Sequence, residues 1–406
     1  MPKPLLLAVD GNGMLHRAFH AWGEGGETDR EGRPIWALLG LLVSISAAAA
    51  RLRPDAVLVG FDCESESLRR DDYPLYKAQR PEKPAELRCQ LLDAPALLTA
   101  AGIPVVQSRG HEADDVLASA AATCRGAGWR AVLMTSDRDS FALLDQDVSV
   151  LRVMDGGLTD SPLLGPDDLV RLYDVRPDQY HDLAALRGDP SDNLPGVPGV
   201  GTRTAARLLH RFGSMAGLFA AVDQATDQAT DQGQPGGQPD QPGRPDQLGA
   251  LLPETARTHL ASAAGRAAVR RTREIMRLHA DLPLPDPESL RLPLDGARLR
   301  TALRRRDIRL NRSLWALIGE APPPWEPNGF DKAPSALPRV EAPPWALSQW
   351  YRPDLSIERT TRERARTTQE RERSVTDPVQ LVELPTESVE LPVPPEPIRG
   401  GQFSLF

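Results

Sequence analysis

The chain has 406 residues, enough for two or three ordinary domains, and a formal net charge of −8. This acidic balance excludes a protein held on nucleic acid by an overall positive field, although bases clustered in one groove could still bind it. Three widely spaced cysteines without a CxxC pair argue against a disulfide scaffold or zinc ribbon and favour a reducing, cytoplasmic setting. The N-terminal apolar run is too short to span a bilayer, so we expect no signal peptide, no transmembrane helix and no membrane partner.

The first 150 residues alternate strand-like and helix-like segments. Buried parallel strands are predicted by apolar runs at 4–10, 55–62, 103–108 and 130–137. Helices are predicted by longer apolar runs at 36–52, 85–102 and 113–128. The alternating order predicts an α/β core with a parallel sheet covered by helices on both faces, over residues 1–178.

From residue 179 the pattern changes to short helical runs joined by Gly and Pro turns, which predicts a helical subdomain over 179–320. Residues 223–247 interrupt it with low-complexity Asp, Gln, Pro and Gly. This segment has too few apolar residues to pack, so a disordered surface insert is predicted. Repeated prolines and a charged run predict a disordered tail over 321–406.

Acidic residues follow four of the predicted strands, at Asp10, Asp62, Asp137 with Asp139, and in the segment HEADD with Glu112, Asp114 and Asp115. The carboxyl ends of parallel strands share one edge of a sheet, so these side chains should converge there. Without cations they would repel one another. Oxygen ligands favour Mg²⁺ or Mn²⁺ over zinc, and so many acids suggest two ions. Any one of them alone would more simply be a turn residue or a helix cap.

Five segments, in this order, closely resemble the 5′-nuclease family, which includes the 5′→3′ exonuclease domain of bacterial DNA polymerase I and phage flap endonucleases. They are LLLAVDGNGMLHRAFHA, FDCESESLRRDDYPLYKAQRP, HEADDVLA, TSDRDSFALL and LRGDPSDNLPGVPGVGTRTAARLL. The resemblance covers about residues 4–320 apart from the insert. It implies a PIN-like core with a helical arch and a helix–three-turn–helix subdomain. It also implies an Mg²⁺-dependent, structure-specific 5′→3′ exonuclease or flap endonuclease of replication and repair.

The resemblance also implies which acids hold metal. The first cluster would be Asp10, Asp62, Glu112, Asp114 and Asp115, and the second Asp137, Asp139, Asp189 and Asp192. Two Mg²⁺ ions are implied, for which Mn²⁺ could substitute, with a metal-bound water rather than a protein nucleophile attacking phosphorus. In a first helical turn Glu112 and Asp115 would face the same side, so Asp114 is the member of that trio least expected to be a direct ligand.

The basic segment LRRDDYPLYKAQR, residues 68–80, would belong to the mobile arch. By resemblance Lys77 contacts the scissile phosphate, Arg80 and Arg69 lie nearby, and Tyr76 could stack on an unpaired base. An ordinary solvated basic segment is the alternative interpretation.

The Gly-rich segment NLPGVPGVGTRTAARLL, residues 193–209, enters a helix. Glycines let the backbone approach a phosphate, and free amides at a helix start can bind it. The resemblance implies that the duplex backbone is gripped by Gly199, Gly201, Thr202, Arg203 and Thr204. No strand precedes the glycines, which argues against a dinucleotide site, whereas an ordinary turn stays open. Some family members hold K⁺ here, so K⁺ is a further expected ligand.

The last five residues, QFSLF, resemble the peptide that binds the bacterial sliding clamp. Gln402, Ser404, Leu405 and Phe406 fit that pattern, whereas Phe403 replaces the commoner Leu. A disordered tail would then tether the nuclease to the clamp. No polymerase region follows residue 320, so we expect a stand-alone, nucleoid-associated nuclease. Its substrate would be DNA with 5′ ends or flaps, with RNA primer ends left open.

Two other function classes compete with this hypothesis. A non-catalytic DNA-junction binder of the same fold should have lost a metal acid, and none is missing here. A metal-dependent phosphatase would also use acids, but it would need neither the basic segment at 68–80 nor the Gly-rich turn.

Overall fold

A computed structural model describes residues 2–22, 26–154, 158, 161–232, 248–249, 251–310 and 313–323. Most of the predicted insert lies outside these ranges, as does the tail from residue 324 with the clamp-like peptide. No helix in the described ranges combines the length and the apolar character needed to cross a membrane.

Six strands form one sheet in the order β3-β2-β1-β4-β5-β6. They are β1 (Leu5–Asp10), β2 (Ala56–Phe61), β3 (Val105–Gln107), β4 (Arg130–Thr135), β5 (Val148–Arg152) and β6 (Leu163–Leu164). The first five pair in parallel, which confirms the predicted sheet, while β6 adds an antiparallel edge. Strands β5 and β6 add to the four predicted from apolar runs, because polar residues interrupt the apolar run of β5 and β6 has only two residues.

Helices surround the sheet and form the later part of the chain. In the α/β part they are α1 (Gly11–Trp22), α2 (Trp36–Leu52), α3 (Leu68–Asp72), α4 (Ala85–Ala100) and α5 (Ala113–Ala127). They continue with α6 (Pro166–Tyr173), α7 (Tyr180–Arg187), α8 (Thr202–Phe212), α9 (Met215–Gln232), α10 (Glu254–Ala261), α11 (Ala263–Ile275), α12 (Gly296–Arg305) and α13 (Trp315–Ile318). The helices predicted at 36–52, 85–102 and 113–128 correspond to α2, α4 and α5.

Alternate residues of the central strand β1 point to opposite faces of the sheet. Leu5, Leu7 and Val9 pack into an apolar cluster with α1, α2 and α4. Leu6 and Ala8 pack on the other face, in a cluster that includes α5 and the helices α6 to α11. The helical part of the chain therefore rests directly on the α5 face of the sheet.

The predicted helical unit 179–320 does not pack as one body. The segment after α11 returns to the α/β core, where Leu292 N donates to Asp55 O, and Leu317 of α13 joins the α2 face. Arg298 of α12 donates to the last carbonyls of α4, at Thr99 and Ala100. Periodicity identifies a helix but not the sheet face that it covers, so the sequence did not predict this return to the core.

The predicted insert begins as helix rather than as a disordered segment, because α9 continues to Gln232. Buried Leu218 and Phe219 anchor the first turns, and Asp223 forms an ion pair with Arg266. Once a helix is nucleated, Ala, Gln and Asp can extend it until a breaker intervenes. The first Gly and Pro of this segment come only at 233 and 235.

Candidate metal centre and nucleic-acid interface

The predicted acids meet at the carboxyl edge of the sheet. Asp10 is the last residue of β1, Asp62 follows β2, and Asp137 follows β4 by one residue. Asp139 opens a 3₁₀ turn. Glu112 immediately precedes α5, whose first turn carries Asp114. The parallel topology thus brings strand ends that are far apart in sequence to one edge.

Two further acids come from the helical part of the chain. Asp189 and Asp192 flank a short 3₁₀ turn after α7, and the Asp189 carboxylate accepts hydrogen bonds from Ser191. The backbone of this turn is tied to the basic segment, because Lys77 N donates to Asp192 O at 3.0 Å. The second predicted cluster is therefore assembled from both halves of the chain.

Mutual electrostatic effects link eight of the nine acids into one cluster. Burial, assisted by Asp62 and Asp137, raises the pKa of Asp10 to about 7. Burial and the charges of Asp137 and Asp10 hold the pKa of Asp114 well above its usual range. The cluster consists of Asp10, Asp62, Glu112, Asp114, Asp137, Asp139, Asp189 and Asp192.

Burial and repulsion between carboxylates also raise pKa values in the second half of the cluster. Burial first, and then Asp137 and Asp189, raise the pKa of Asp139 well above the ordinary value of 3.8. Burial also raises the pKa of Asp192, although Lys77 and Arg80 counteract it. Uncompensated carboxylates at this density disfavour their own ionisation, which is the condition that a bound cation relieves.

Uncharged neighbours hold the first acids in place. Asn12 brackets Asp62, because its amide donates to the carboxylate at 2.8 Å and its oxygen accepts from Asp62 N at 3.0 Å. Thr135 Oγ1 and Gly13 N both donate to Asp10. A Cβ on Gly13 would lie 2.1 Å from Asp10 Oδ2, so this position requires glycine. Sequence reasoning did not assign these residues, although the DGNG and TSD segments that contain them offered the signal.

The donor set of the cluster suits a hard divalent cation. Every member offers carboxylate oxygen, which Mg²⁺ and Mn²⁺ prefer. Oδ1 of Asp114 is buried and has no hydrogen-bond partner within the described ranges. A buried, unpaired carboxylate oxygen is costly unless a ligand compensates it. The residues therefore fit the implied metal.

Two cations of the basic segment point at the cluster. Lys77 Nζ lies 3.0 Å from Glu112 Oε2, and Arg80 donates to Asp192 at 2.6 Å. Burial would raise the pKa of Glu112, but Lys77 and Arg69 outweigh it and the pKa falls below its ordinary value. Lys77 has φ of 55°, a left-handed conformation that costs a residue other than glycine on the order of 1–3 kcal/mol. The contacts of Lys77 Nζ with Glu112 and of Lys77 N with Asp192 O accompany this conformation and offset its cost.

Two residues predicted to contact DNA are instead buried. Tyr76 is 5% exposed and its hydroxyl donates to Glu112 at 3.1 Å, so its ring is not available to stack on a base in this structure. Arg69 is 7% exposed and binds Asp115 through two nitrogens, at 2.7 and 2.8 Å. A basic or aromatic residue in a polar segment gives no sequence signal of its burial, and DNA contact by these two residues stays a prediction.

The oxygens of Asp115, the remaining predicted metal ligand, are occupied by protein donors. They accept two bonds from Arg69, one from Glu112 N at 3.0 Å and one from His279 N at 2.9 Å. Burial opposes ionisation, but Arg69 outweighs it and lowers the pKa of Asp115. Glu112 and Asp115 do share a side, since both contact Arg69. However, Asp114 rather than Asp115 points into the acid cluster.

Asp115 also belongs to the one group in the described ranges whose potential metal-ligand atoms all lie within 4.8 Å, together with His111 and His279. That proximity does not make a metal site. The four donors already occupy the carboxylate, and the Arg69 guanidinium places a positive charge beside it. Each of the eight clustered acids accepts fewer hydrogen bonds from the protein than Asp115 does, and the buried Oδ1 of Asp114 accepts none within the described ranges.

The Gly-rich turn leads into the N-terminus of α8. Gly199 has φ of 77°, which glycine adopts readily, and Gly201 directly precedes the helix. No side chain caps this end, so the amides of Thr202, Arg203 and Thr204 can receive an anion. The Arg203 side chain is exposed. The predicted phosphate-binding residues therefore lie together at one helix start.

Family models match the chain over both halves. The model for the 5′-3′ exonuclease N-terminal resolvase-like domain matches residues 5–171, and that for the 5′-3′ exonuclease C-terminal SAM fold matches residues 175–295. The chain belongs to the 5′-3′ exonuclease family. Its resemblance to 5′ nucleases is thereby confirmed, and the sheet is that of the family's resolvase-like domain.

Relatives of this 5′-3′ exonuclease family member include bacterial DNA polymerases. DNA polymerase I of Mycobacterium leprae is 35% identical over 335 residues, which is 81% of this chain and 33% of that protein. The thermostable DNA polymerase I of Thermus aquaticus is 38% identical over 222 residues, 55% of this chain and 26% of that protein. The chain thus spans about a third or less of the length of these relatives.

A solved structure with a similar fold is the bacteriophage T5 5′-exonuclease with bound zinc ions. It is 23% identical, with a TM-score of 0.47, and the match covers 68% of this chain and 90% of that one.

Proposed function

We propose that this family member is an Mg²⁺-dependent, structure-specific 5′ nuclease. It would hydrolyse DNA phosphodiester bonds near 5′ ends or flap junctions during replication and repair. The observation that carries the proposal is the cluster of eight carboxylates, with Asp10 buried and the other seven half-buried, that faces Lys77 and Arg80. Carboxylates alone would suit a phosphatase as well. Cations directed at the cluster, together with an uncapped helix start, suit a polymeric phosphodiester better.

The cluster would hold two ions. The first would lie among Asp10, Asp62, Glu112 and Asp114, and the second among Asp137, Asp139, Asp189 and Asp192. When bound, such ions supply a water of lowered pKa and stabilise charge that develops on the phosphoryl oxygens. Mn²⁺ has the same oxygen preference and should substitute.

Side chains of the protein would bind the phosphate and keep the acids oriented. Lys77 and Arg80 would leave their carboxylate partners to bind oxygens of the scissile phosphate, as cations stabilise a transferring phosphoryl group. Thr135, Asn12 and Gly13 keep the first acids oriented while charge accumulates. The cost of the left-handed backbone at Lys77 is consistent with such a positioning role.

Cleavage of a 5′-flap DNA tests this function. We expect Mg²⁺-dependent release of the flap, loss of cleavage in EDTA, and a fall of at least about 100-fold with Asp137→Ala, since that acid contributes charge to both halves of the cluster. The exposed acid Asp167 on α6 provides the matched control, Asp167→Ala. Junction binding without cleavage by the wild type in Mg²⁺ or Mn²⁺ would instead identify a non-catalytic DNA-binding protein.

The DNA duplex would be held at the start of α8. Backbone amides after Gly201 and the Arg203 side chain are suited to phosphate oxygens and carry no information about base sequence. The same turn is our proposed K⁺ site. Replacing K⁺ with a bulky organic cation at constant ionic strength should weaken duplex binding, and unchanged binding would remove K⁺ from the proposal.

The C-terminal QFSLF, which lies outside the described ranges, is proposed to bind the sliding clamp through Gln402, Leu405 and Phe406. This contact would keep the nuclease at DNA in the cytoplasm, at the nucleoid. A clamp pull-down with the full chain and with a chain lacking residues 402–406 tests it. Equal recovery of the two chains would exclude the peptide as the contact.

A further inference from the structure

We infer that Arg69 and Asp115 form a positioning pair that fixes the metal-binding acids of α5 against the helical half of the chain. This inference rests on the proposed function, because it concerns the same acids. It gives the two residues a role different from DNA contact and from metal ligation.

The contacts of Arg69 join three segments that are distant in sequence. Its guanidinium binds both oxygens of Asp115 in α5, at 2.7 and 2.8 Å. It also donates to the carbonyl of Ile275 at 3.0 Å and to that of Arg277 at 3.2 Å. Arg69 itself lies in α3, within the basic segment 68–80. One side chain therefore connects the base of that segment, the start of α5 and the end of α11.

Asp115 completes the connection from the other side. His279 N and Glu112 N donate to its carboxylate, so it binds the chain after α11 and closes the first turn of α5. Both oxygens are satisfied by donors of the protein, and the carboxylate is fully buried. A carboxylate with this many partners is favourable only as a structural group, since a metal would have to displace Arg69 from it.

A second contact, one turn along α5, holds the same segment. Ser119 Oγ donates to His279 O at 3.2 Å and accepts from Leu282 N at 3.1 Å. The stretch 275–282 is thus fixed to α5 at Asp115 and again at Ser119. Such repeated attachment restricts rotation and sliding of the helix start.

The pair lies beside two of the proposed metal ligands, so its loss should affect metal binding. Glu112 and Asp114 flank the turn that Asp115 closes, and Arg69 also lies 3.4 Å from Glu112. Partners one step removed from a ligand fix its orientation, and their loss typically weakens metal binding 10–100-fold. The planar fork of arginine matches a carboxylate in two places, which a lysine ammonium cannot do.

Metal binding without DNA provides the first test, with free Mn²⁺ measured by electron paramagnetic resonance. We expect Asp115→Asn and Arg69→Lys each to bind as many ions as wild type, with affinity weakened about 10–100-fold. The double variant should be little weaker than the poorer single variant, because both remove the same interaction. Asp139→Asn is the matched comparison and should weaken or eliminate binding of one ion selectively.

Some results would overturn the inference. Asp115→Asn could lose an ion while Arg69→Lys keeps wild-type affinity, which would make Asp115 a ligand. Additive losses in the double variant would also contradict a shared role. So would weaker duplex binding in EDTA by Arg69→Lys with Mn²⁺ affinity unchanged, because that pattern belongs to a DNA contact.

A measurement on the wild-type protein avoids the risk that a variant fails to fold. The amides of Glu112 and His279 both donate to Asp115, so they should exchange slowly with solvent. They should remain protected when Mn²⁺ or Mg²⁺ is added. Loss of protection on metal addition would mean that the carboxylate turns toward the ion. Wild type that binds ions but does not cut a flap would refute the proposed function and leave the role of the pair standing.

Discussion

At the scale of single residues, chemically identical carboxylates take opposite roles because of their nearest neighbours. Asp114 and Asp115 are adjacent in sequence, yet burial and then like charges raise the pKa of the first, whereas Arg69 outweighs burial and lowers the pKa of the second. The difference arises from direction, since successive residues of a helix point about 100° apart. The role of a carboxylate must therefore be assigned from the groups that its oxygen atoms face.

The raised pKa of Asp10 makes the metal-free protein sensitive to pH. The unfolded carboxyl titrates near 3.8 and the folded one near 7, so the folded state binds the extra proton between these values. The free energy of unfolding should therefore decrease as pH rises from about 4 to 7, with the loss complete above that range. In EDTA at pH 8, Asp10→Asn should raise Tm by at least about 2–4 °C, the effect of 1 kcal/mol in a medium-sized domain.

Thermal unfolding at pH 5 and pH 8 measures this difference. Asp281→Asn, at an exposed acid, should keep the wild-type pH profile. If Asp10→Asn changes with pH as steeply as wild type, another group controls the profile.

At the scale of secondary-structure elements, the starts of two helices have opposite chemistry. Helix α5 begins with acids that face the acid cluster and a buried arginine, whereas α8 begins after a glycine with an exposed basic side chain and half-buried hydroxyl side chains. Both exploit the unpaired amides of a first turn. In α5 the protein satisfies them with its own carboxylates, and in α8 they are left for an external anion.

Arg203→Ala tests the phosphate contact at the start of α8. Removing one phosphate contact should weaken duplex binding similarly for all base sequences and reduce the salt slope of log K by about 1. Cleavage at saturating DNA should change little, since Arg203 lies outside the acid cluster. The measurement is binding to two unrelated duplexes at several salt concentrations.

Arg88→Ala is the control, because Arg88 is exposed on α4, which packs on the other face of the sheet. An unchanged salt slope for Arg203→Ala would remove this residue from the interface.

At the scale of the whole molecule, the two faces of the parallel sheet carry different sets of helices. One face carries α1, α2 and α4 with the returning helices α12 and α13, while the other carries α5 and the helices that support the Gly-rich turn. The acid cluster lies at the edge that both faces share. The C-terminal return therefore stabilises the core from the side away from α8.

Truncation measures the contribution of that return. A chain ending at Leu310 loses Leu317 and Ile318, which are 0% and 9% exposed. Buried side chains of this size each contribute about 1.5–3 kcal/mol, so Tm should fall by several degrees. A chain ending at Pro323 keeps both residues and should unfold like the full chain. Equal Tm values for the two truncations would show that α13 does not contribute to stability.

The sequence by itself determined the periodic and local features. Continuous apolar runs predicted four parallel strands, and the order of segments predicted the α/β core. Acids at the strand ends predicted one shared cluster because parallel strands end at the same edge. Glycines before a polar helix start predicted the α8 turn. In each of these cases the relevant interaction is close in sequence or is dictated by a general property of parallel sheets.

Only the tertiary structure decided which neighbours a side chain meets. It placed Tyr76 and Arg69 in the interior, paired Arg69 with Asp115, and returned α13 to the α2 face. These outcomes depend on contacts between residues far apart in sequence, from 36 positions for Tyr76 with Glu112 to 206 for Arg69 with Ile275. Burial and ion pairing are collective results of packing, so no local pattern around a residue encodes them.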